Sequence, residues 1–361
     1  IMDGDRCVGA YGFSVREDKF YVFKAKAVLA AMGGAVLVFK PRSSGEGQGR
    51  AWYPPWNAGA SAFFTLKAGA EMTCQEVRFI PVRFKDAYGP VGAWFLLFKS
   101  RATNAFGGEY MVERRDELQN WQPYGLVKPI PANLRNWLGM LDVMEGKGPI
   151  YMRTEEALQK IADEYKDDQK AYKKKMKELE SEAWEDFLDM TISQAILWAA
   201  SDVQPEEKSS EIAAAEPYFI GSHSGASGAW VSGPKDLAPP EYFWGYENMC
   251  TTKGPFAAGD ATGASSHKFS SGSHAEGRIA GKAAIRYLVN ESPAMPNVED
   301  APIEDLKAKT LKPLDLLEEH KGFTSQVDVN PNYILPKMFM FRLQTLMDED
   351  AGGVGSQFST S

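Results

Sequence analysis

The first 40 residues carry two runs in which apolar and polar side chains alternate. The runs 7–13 and 19–25 are separated by the turn-forming pair Glu17-Asp18, and this pattern predicts a β-hairpin. The apolar run 26–31 that follows is short and leads into Met32-Gly33-Gly34, so we expect a buried strand that stops at these glycines. The beginning of the chain therefore predicts β-structure.

In the middle of the chain the period of the apolar positions changes from two residues to three or four. We predict a helix that ends near Gly69-Ala70, and mixed loops and short strands over 71–150, which is rich in aromatic residues, Gly and Pro. From Thr154, the expected N-cap, apolar residues fall at helical spacing with Lys and Glu between them. They are Leu158, Ile161, Tyr165, Tyr172, Met176, Leu179 and Ala183. A second helix is predicted over 192–200. The Lys and Glu residues of the first helix are typical of a solvent-exposed structural helix rather than of a binding surface.

The remainder of the chain predicts linkers, strands and helices in turn. Residues 206–216 are polar and predict a linker, and strands and a Gly- and Ala-rich helix follow to about Val289. Three prolines over 293–312 indicate another boundary, and 339–347 predicts the start of a helical region. These patterns together predict a chain of mixed strands and helices.

The composition is that of a globular protein, and it excludes several classes of function. With 361 residues, of which 44% are hydrophobic and 24% charged, the chain is long enough for two or three domains. A net charge of −8 without a basic stripe argues against nucleic-acid binding, and no apolar run approaches the ~18 residues of a membrane span. Cys7, Cys74 and Cys250 are too widely spaced for a zinc site, an iron–sulfur site or a disulfide framework. We therefore expect no bound metal and a reducing, cytoplasmic location.

The candidate chemistry is concentrated where the apolar run 255–258 meets Gly259-Asp260. A small-residue loop follows with the string Ser271-Gly272-Ser273-His274, and a Gly- and Ala-rich helix starts behind the loop. Glycines let the backbone approach a flat, phosphate-bearing cofactor, and the free N–H groups of a helix start face its electron-rich atoms. The carboxylate of Asp260, at the end of the strand, can accept hydrogen bonds from a pair of ribose or ribityl hydroxyls. We interpret this as half of a flavin site; the alternative is ordinary tight turns, with the serines only capping a helix that starts near Ala275.

Several strings carry a resemblance to a known family. Gly33-Gly34 after a strand, together with Ala258-Gly259-Asp260 before a helix, resembles the second half of the succinate dehydrogenase/fumarate reductase flavoproteins. Within that family, four strings resemble the alpha subunits of dissimilatory adenylylsulfate reductase. They are Phe39-Lys40-Pro41-Arg42-Ser43-Ser44-Gly45-Glu46-Gly47, Arg50-Ala51-Trp52-Tyr53-Pro54-Pro55-Trp56-Asn57-Ala58-Gly59, Arg83-Phe84-Lys85-Asp86-Ala87-Tyr88-Gly89-Pro90-Val91-Gly92-Ala93 and Gly221-Ser222-His223-Ser224-Gly225. The match spans nearly the whole chain.

This resemblance implies a fold with interrupted domains. The fold would be α/β: an FAD-binding domain of the fumarate reductase flavoprotein type, with an inserted α+β capping domain and the start of a helical C-terminal domain. The implied ranges are 1–86 for the FAD-binding domain, 87–216 for the capping domain, 217–292 for the FAD-binding domain continued, and 293–361 for the helical region. The family's amino-terminal dinucleotide fingerprint is missing from 1–86, so we expect an interior piece of a longer polypeptide.

The resemblance implies FAD as the cofactor. The residues expected to contact it or run along it are Gly33, Gly34, Ser43, Ser44, Gly259, Asp260, Ser271, Gly272, Ser273 and His274. The helix start at Ser273 is expected to face the pyrimidine edge of the isoalloxazine. Because reduced flavin is negatively charged there, a helix N-terminus would stabilise it.

For the substrate, the resemblance implies Arg83 and His223 as catalytic residues, with Trp52, Leu96 and Phe269 binding the rest of the molecule. The permanent charge and planar donor fork of an arginine suit sulfate oxygens, and a histidine between small residues can donate to them. The implied reaction is the reversible reduction of adenylylsulfate to AMP and sulfite, by attack of reduced flavin N5 on the sulfate sulfur. Because the sequence carries no iron–sulfur ligands, we expect electrons from an iron–sulfur, ferredoxin-like beta subunit.

Two alternatives stay open. The chain could come from another enzyme of the wider family, acting on fumarate, succinate or aspartate. Against this, Lys268 stands about where that group places a substrate arginine, and no His-Pro-Thr string lies near Pro81. The chain could also be a cofactor-free piece, because the dinucleotide fingerprint is missing.

Overall fold

The computed structural model describes most of the chain. The described residues are 1–17, 19–35, 38, 57–75, 82–85, 91–128, 130, 132–214, 227–263, 265, 270–296, 298, 300–324, 326, 328 and 336–350. They form two compact units. The first holds the described residues of Ile1–Lys40, Ala51–Phe79 and Tyr218–Gln357, and the second holds those of Ile80–Pro217.

The elements alternate between short strands and helices of very different length. The strands are β1 (Met2–Asp3), β2 (Arg6–Cys7), β3 (Gly9–Phe13), β4 (Phe20–Lys24), β5 (Val28–Ala30), β6 (Met72–Thr73), β7 (Val82–Phe84), β8 (Ala102–Thr103), β9 (Ile150–Met152), β10 (Ser210–Ala214), β11 (Gly228–Ala229) and β12 (Pro255–Ala257). The helices are α1 (Ala60–Lys67), α2 (Gly92–Leu96), α3 (Tyr110–Glu113), α4 (Ala132–Met144), α5 (Thr154–Glu164), α6 (Gln169–Ala200), α7 (Ser270–Glu291), α8 (Asp300–Glu319) and α9 (Pro336–Glu349). Helix and sheet are mixed, as an α/β class requires.

The first unit is organised around a pair of parallel strands. Strand β12 pairs with β5 in parallel, and Phe256 at its centre is fully buried. Helix α7 packs on this strand through two fully buried alanines, Ala280 and Ala283, because their small side chains allow close approach. The hairpin predicted over 7–25 is confirmed as β3 and β4, which pair in antiparallel register. The strand predicted over 26–31 is confirmed as β5.

One part of that strand prediction is wrong. Strand β5 buries Ala30, but Leu29 is 46% exposed among the described residues. Consecutive strand residues point to opposite faces, so the strand is buried on one face only.

The second unit is an antiparallel sheet covered by helices. The sheet order is β7-β10-β9-β8, and its apolar face packs into a core that contains Phe84, Met152 and Ile212. Two tryptophans close this core: the ring of Trp198 lies 5.0 Å from that of Phe84 in an edge-to-face arrangement, and Trp94 lies at 6.3 Å.

Tertiary pairing overrides several sequence-based expectations in the second unit. The predicted linker 206–216 contains β10, which pairs with both β7 and β9 and so lies inside the sheet. The stretch 71–150 contains the 13-residue helix α4, where we expected loops and short strands. The predicted domain boundary fell at residue 86, whereas β7, with Arg83, belongs to the sheet of the second unit. The assignment of the ranges to FAD-binding and capping domains stays a prediction.

The helix boundaries also differ. Thr154 is the first residue of α5 rather than its N-cap, and its hydroxyl donates to Lys208 O at 3.2 Å. The helix then breaks, and Asp168 caps α6 by accepting from the backbone N–H groups of Lys170 and Ala171 at 3.0 and 2.9 Å. Helix α6 runs on for 32 residues and so joins the two helices that the pattern separated.

The carboxy-terminal helices are partly as expected. The prolines over 293–312 predicted a boundary, but α8 includes Pro302 in its first turn, where the missing N–H costs nothing. It also carries Pro313 in its interior. Helix α9 confirms the helical region predicted from 339. No helix among the described residues is long and apolar enough to cross a membrane.

Candidate functional site

Two glycine loops lie at the same edge of the parallel strand pair. Because Ala257 pairs with Ala30 in parallel register, the residues after each strand leave from the same end of the pair. The backbone N–H of Ala258 donates to Ala30 O at 3.1 Å and extends the pairing by one residue. Gly33-Gly34 follow β5 after Ala31-Met32, and Gly259-Asp260 follow β12 after Ala258. Carboxyl ends of parallel strands are where open α/β sheets bind ligands, so this edge is the candidate cofactor site.

Gly259 brings its loop against the first turns of α7. Its φ is +63°, and a Cβ on it would lie 3.2 Å from the Ser273 hydroxyl. Helix α7 begins at Ser270, so the prediction of a helix that starts near Ala275 is wrong. The predicted cofactor residues Ser271, Gly272, Ser273 and His274 therefore lie inside the first turns of the helix rather than in a cap before it.

Gly33 is held in place by α1. Its φ is +78°, and a Cβ would stand 2.9 Å from the Asn57 amide nitrogen, so the position admits only glycine without a shift. The buried Ser61 hydroxyl, in the first turn of α1, donates to Gly33 O at 2.8 Å. Gly34 is buried. The first loop is thereby fixed by a side chain that the sequence patterns did not single out.

Glu276 is a further residue of this edge that sequence reasoning missed. Its two carboxylate oxygens accept from different points of the second loop: Oε2 from the Gly259 N–H at 2.7 Å, and Oε1 from the Ser265 hydroxyl. These partners lie 17 and 11 residues away in the chain, so no local pattern marks the contact. One side chain of α7 thus holds both ends of the loop 259–265.

The middle of the second loop packs tightly on β11. A Cβ on Gly228 would lie 2.5 Å from Thr262 C and 2.6 Å from Gly263 N. The Thr262 hydroxyl is buried and has no hydrogen-bond partner among the described residues. This packing fixes the second loop on β11, and the two glycine loops and the helix start at this edge fit a flat ligand that carries hydrogen-bonding groups, as a flavin does.

Arg83 lies in the second unit on the polar face of the sheet. Its neighbour Phe84 is fully buried in the core, and because strand residues alternate between faces, Arg83 points to the opposite side. It is nevertheless only 7% exposed. On the same face, Lys85 forms an ion pair with Glu211 at 2.7 Å. The strand and the residue after it therefore present two cations on one face.

Leu96 follows Phe95 in α2, and an arginine stacks on the Phe95 ring. Leu96 is exposed on α2, next to Phe95, and the guanidinium carbon of Arg135 in α4 lies 4.0 Å from the centroid of the Phe95 ring. Burial lowers the pKa of Arg135. Its buried Nε has no hydrogen-bond partner among the described residues. No sequence pattern marks this pair, because its members lie 40 positions apart on different helices.

Other predicted site residues cannot be placed in this way. Trp52, His223, Phe269, Ser43 and Ser44 lie outside the described residues. Of the rest, the cofactor set lies in the first unit, whereas Arg83 and Leu96 lie in the second. Among the described residues, no group of three or more His, Cys, Asp or Glu side chains could hold a metal ion.

Comparison with known proteins places the fold in a class. No family model matches the chain. A quinol-fumarate reductase chain superposes with a TM-score of 0.55 at 16% identity, over 96% of this chain and 52% of that chain. At that identity the likeness concerns the fold alone, which is that of the fumarate reductase and succinate dehydrogenase flavoproteins.

A narrower group is defined by sequence. The chain is 48% identical to adenylylsulfate reductase subunit alpha of Megalodesulfovibrio gigas over 367 aligned positions, which is 99% of this chain and 54% of the relative. The adenylylsulfate reductase structure from Archaeoglobus fulgidus, and one described as adenosine-5-phosphosulfate reductase in complex with sulfite as a covalent adduct, each match with a TM-score of 0.87 and 53% identity. Each match covers 98% of this chain and 55% of the other. Over nearly its whole length the chain is similar to adenylylsulfate reductase alpha subunits, and it spans about half the length of the relatives it matches.

Proposed function

We propose that the full-length protein reduces adenylylsulfate reversibly to AMP and sulfite, with FAD as its cofactor. The observation that carries this proposal is the 53% identity, over 98% of the chain, to a structure described as holding a covalent sulfite adduct. A similarity of that extent reaches every range in which we predicted site residues. The residues of each unit fit one part of this chemistry.

The first unit would hold the flavin. Bound FAD would supply two electrons to the sulfate sulfur through N5 of its reduced ring. The glycines at positive φ, Gly33 and Gly259, let the backbone approach the ring system. Asp260 would accept hydrogen bonds from ribose or ribityl hydroxyls. The N–H groups at the start of α7 would offset the negative charge of the reduced ring, and this requires no reorientation during the reaction.

Arg83 would bind and neutralise the sulfate group. A guanidinium that is 7% exposed has lost most of its water, so its charge acts in a low local dielectric and an anionic ligand gains more from it than at the surface. His223 would donate to the remaining sulfate oxygens, a role proposed from the family resemblance. Together they would orient the sulfur and keep AMP as the leaving group.

Arg135, Phe95 and Leu96 would take the nucleoside part of the substrate. A guanidinium stacked on a ring offers a flat cationic face, which suits an adenine, and the buried Nε without a described partner offers a donor. Leu96, the next residue after Phe95, would contribute exposed apolar surface. Trp52 and Phe269 would contribute further apolar contacts, as the resemblance implies.

Electrons would enter from an iron–sulfur beta subunit. This partner is proposed from the family resemblance, and the relative from Megalodesulfovibrio gigas is itself named as a subunit alpha, which implies a partner subunit.

Turnover with competing substrates tests the proposal. The full-length protein, reduced with viologen, is expected to oxidise the dye with adenylylsulfate and to release AMP and sulfite. Fumarate in the same assay is expected to give no turnover. Turnover with fumarate alone would contradict the proposal and favour the wider family, and the absence of a flavin absorbance spectrum would contradict any flavoenzyme.

A further inference from the structure

We propose that Glu276 is a positioning residue that holds the flavin-facing loop 259–265 and lowers the flavin reduction potential. The inference rests on the proposed function only in taking FAD as the cofactor. Glu276 uses both carboxylate oxygens on this loop, one for the Gly259 N–H at 2.7 Å and one for the Ser265 hydroxyl. A bond from a backbone N–H to a carboxylate is charge-assisted and therefore stronger than its neutral counterpart.

The position of Glu276 on α7 explains why this side chain reaches the loop. Ser273 touches the position that a Gly259 Cβ would occupy, and residues three apart on a helix share a face, so Glu276 lies on the loop side as well. One turn further along, Ala280 is fully buried against β12. The same face of α7 thus anchors the helix to the strand and the loop to the helix. Without Glu276, the Gly259 N–H would lose its described acceptor.

The charge of Glu276 has a second consequence. It lies in the second turn of α7, near the positive end of the helix dipole. A carboxylate there offsets part of that positive potential, which would otherwise stabilise an anionic reduced flavin. The same side chain therefore fixes the loop and moderates the driving force for flavin reduction, so that the reduced cofactor remains a sufficient reductant.

Two substitutions separate these effects. Glu276→Ala removes both contacts, whereas Glu276→Gln keeps an acceptor for Gly259 and offers its amide to the Ser265 oxygen while it removes the charge. Glu291→Gln, at the far end of the same helix, is the matched control. It makes the same change of charge on an exposed residue whose carboxylate accepts from Tyr246 Oη at 2.8 Å.

The measurements are made on the full-length protein. Glu276→Ala is expected to weaken FAD binding about 10- to 100-fold, the loss of one charge-assisted hydrogen bond, and to speed hydrogen exchange at the Gly259 amide in the apoprotein. Glu276→Gln is expected to bind oxidised FAD within about 3-fold of wild type, but to favour reduced over oxidised FAD by a further factor of about 3 to 10, seen as a higher midpoint potential. Glu291→Gln should change none of these quantities.

The outcomes are distinct. Unchanged FAD affinity and unchanged exchange at Gly259 in Glu276→Ala would overturn the positioning role, and an unchanged or lower midpoint potential in Glu276→Gln would overturn the electrostatic role. Neither readout uses turnover. A wild-type protein that binds FAD but does not reduce adenylylsulfate contradicts the proposed function and leaves the Glu276 result standing, whereas one that binds no FAD contradicts both.

Discussion

In the first unit one of the two buried clusters at the β5–β12 pair consists of small residues, with Phe256 and Tyr287 in the other, whereas the core of the second unit is built mainly from large rings. The small-residue cluster contains Ala30, Ala70, Ala229, Cys250, Ala257 and Ala261. The core of the second unit contains Phe84, Trp94, Tyr110, Leu138, Met152 and Trp198. Small side chains let backbone segments approach one another, so the first unit presents backbone groups at its candidate site. Large interlocked rings fix a strand, so the second unit presents one side chain, Arg83, in a defined position.

The strongest way to break this comparison is to remove a ring from the second core. Phe84→Ala deletes a fully buried phenyl group that contacts Trp198 and Trp94, and it is expected to cost about 3–5 kcal/mol of unfolding free energy. Denaturant unfolding measures the loss. Val112→Ala, at a residue that is 63% exposed, is the control and should stay within about 0.5 kcal/mol of wild type. A loss below about 1 kcal/mol for Phe84→Ala would show that the core does not depend on its rings.

The side chain that this core presents is tested next. Arg83→Ala in the full-length protein is expected to lower kcat/KM for adenylylsulfate about 10- to 200-fold, since a hydrogen bond to a charged group is worth about 1.5–3 kcal/mol. Lys should restore only part of the rate, because it returns the charge without the planar fork. FAD content should not change. Full activity in Arg83→Ala, or loss of FAD instead of rate, would contradict a role in sulfate binding.

The backbone of the first unit has its own test. Gly228→Ala places a Cβ 2.5 Å from Thr262 C, and backbone atoms cannot move aside cheaply, so we expect a loss of about 1–3 kcal/mol together with weaker FAD binding. Gly277→Ala, inside α7, meets nothing within 4 Å and should stabilise the protein by up to about 1 kcal/mol. Thermal unfolding measures the stability of both variants, and titration with FAD measures their affinity for the cofactor. Equal behaviour of the two alanines would mean that the loop tolerates displacement.

The smallest expected effect concerns the helix start. Ser273→Asp adds a negative charge to the first turns of α7, opposite Gly259, and is expected to make the flavin harder to reduce by the equivalent of about 0.3–1 kcal/mol. Redox titration of the full-length protein measures the midpoint potential, with Ser273→Asn as the uncharged control. A midpoint that is unchanged or higher in the aspartate variant would remove the helix start from the electrostatic account.

Local chemistry made part of this fold predictable. The hairpin β3–β4 follows from strict alternation and a turn, and the ends of β5 and β12 follow from the glycines after them. Gly33 and Gly259 could be proposed as site residues from the sequence, because glycine is the residue type that most readily adopts positive φ. The family resemblance added the domain plan and the substrate residues.

The unpredicted features depend on partners that are distant in the chain. The segment of β10 has the composition of a polar linker, and it becomes a strand because it pairs on both sides with segments more than 50 residues away. Thr154 is of a residue type that often caps a helix by accepting from a backbone N–H. Its hydroxyl instead donates to Lys208 O. Glu276 and the Arg135–Phe95 pair are contacts between segments that no periodicity links. Sequence patterns therefore located the glycine loops but not the side chains that hold them.

The pairing of β5 with β12 also constrains how the protein is made. Pro255 pairs with Val28, about 227 positions earlier in the chain, and the whole second unit lies between them. During synthesis from the amino terminus, the second unit leaves the ribosome before the first can close. It has its own aromatic core and sheet, so it can fold while β5 still waits for its partner. The nascent chain therefore carries β5 without its partner strand until β12 emerges, and this is the interval in which we expect it to need a chaperone.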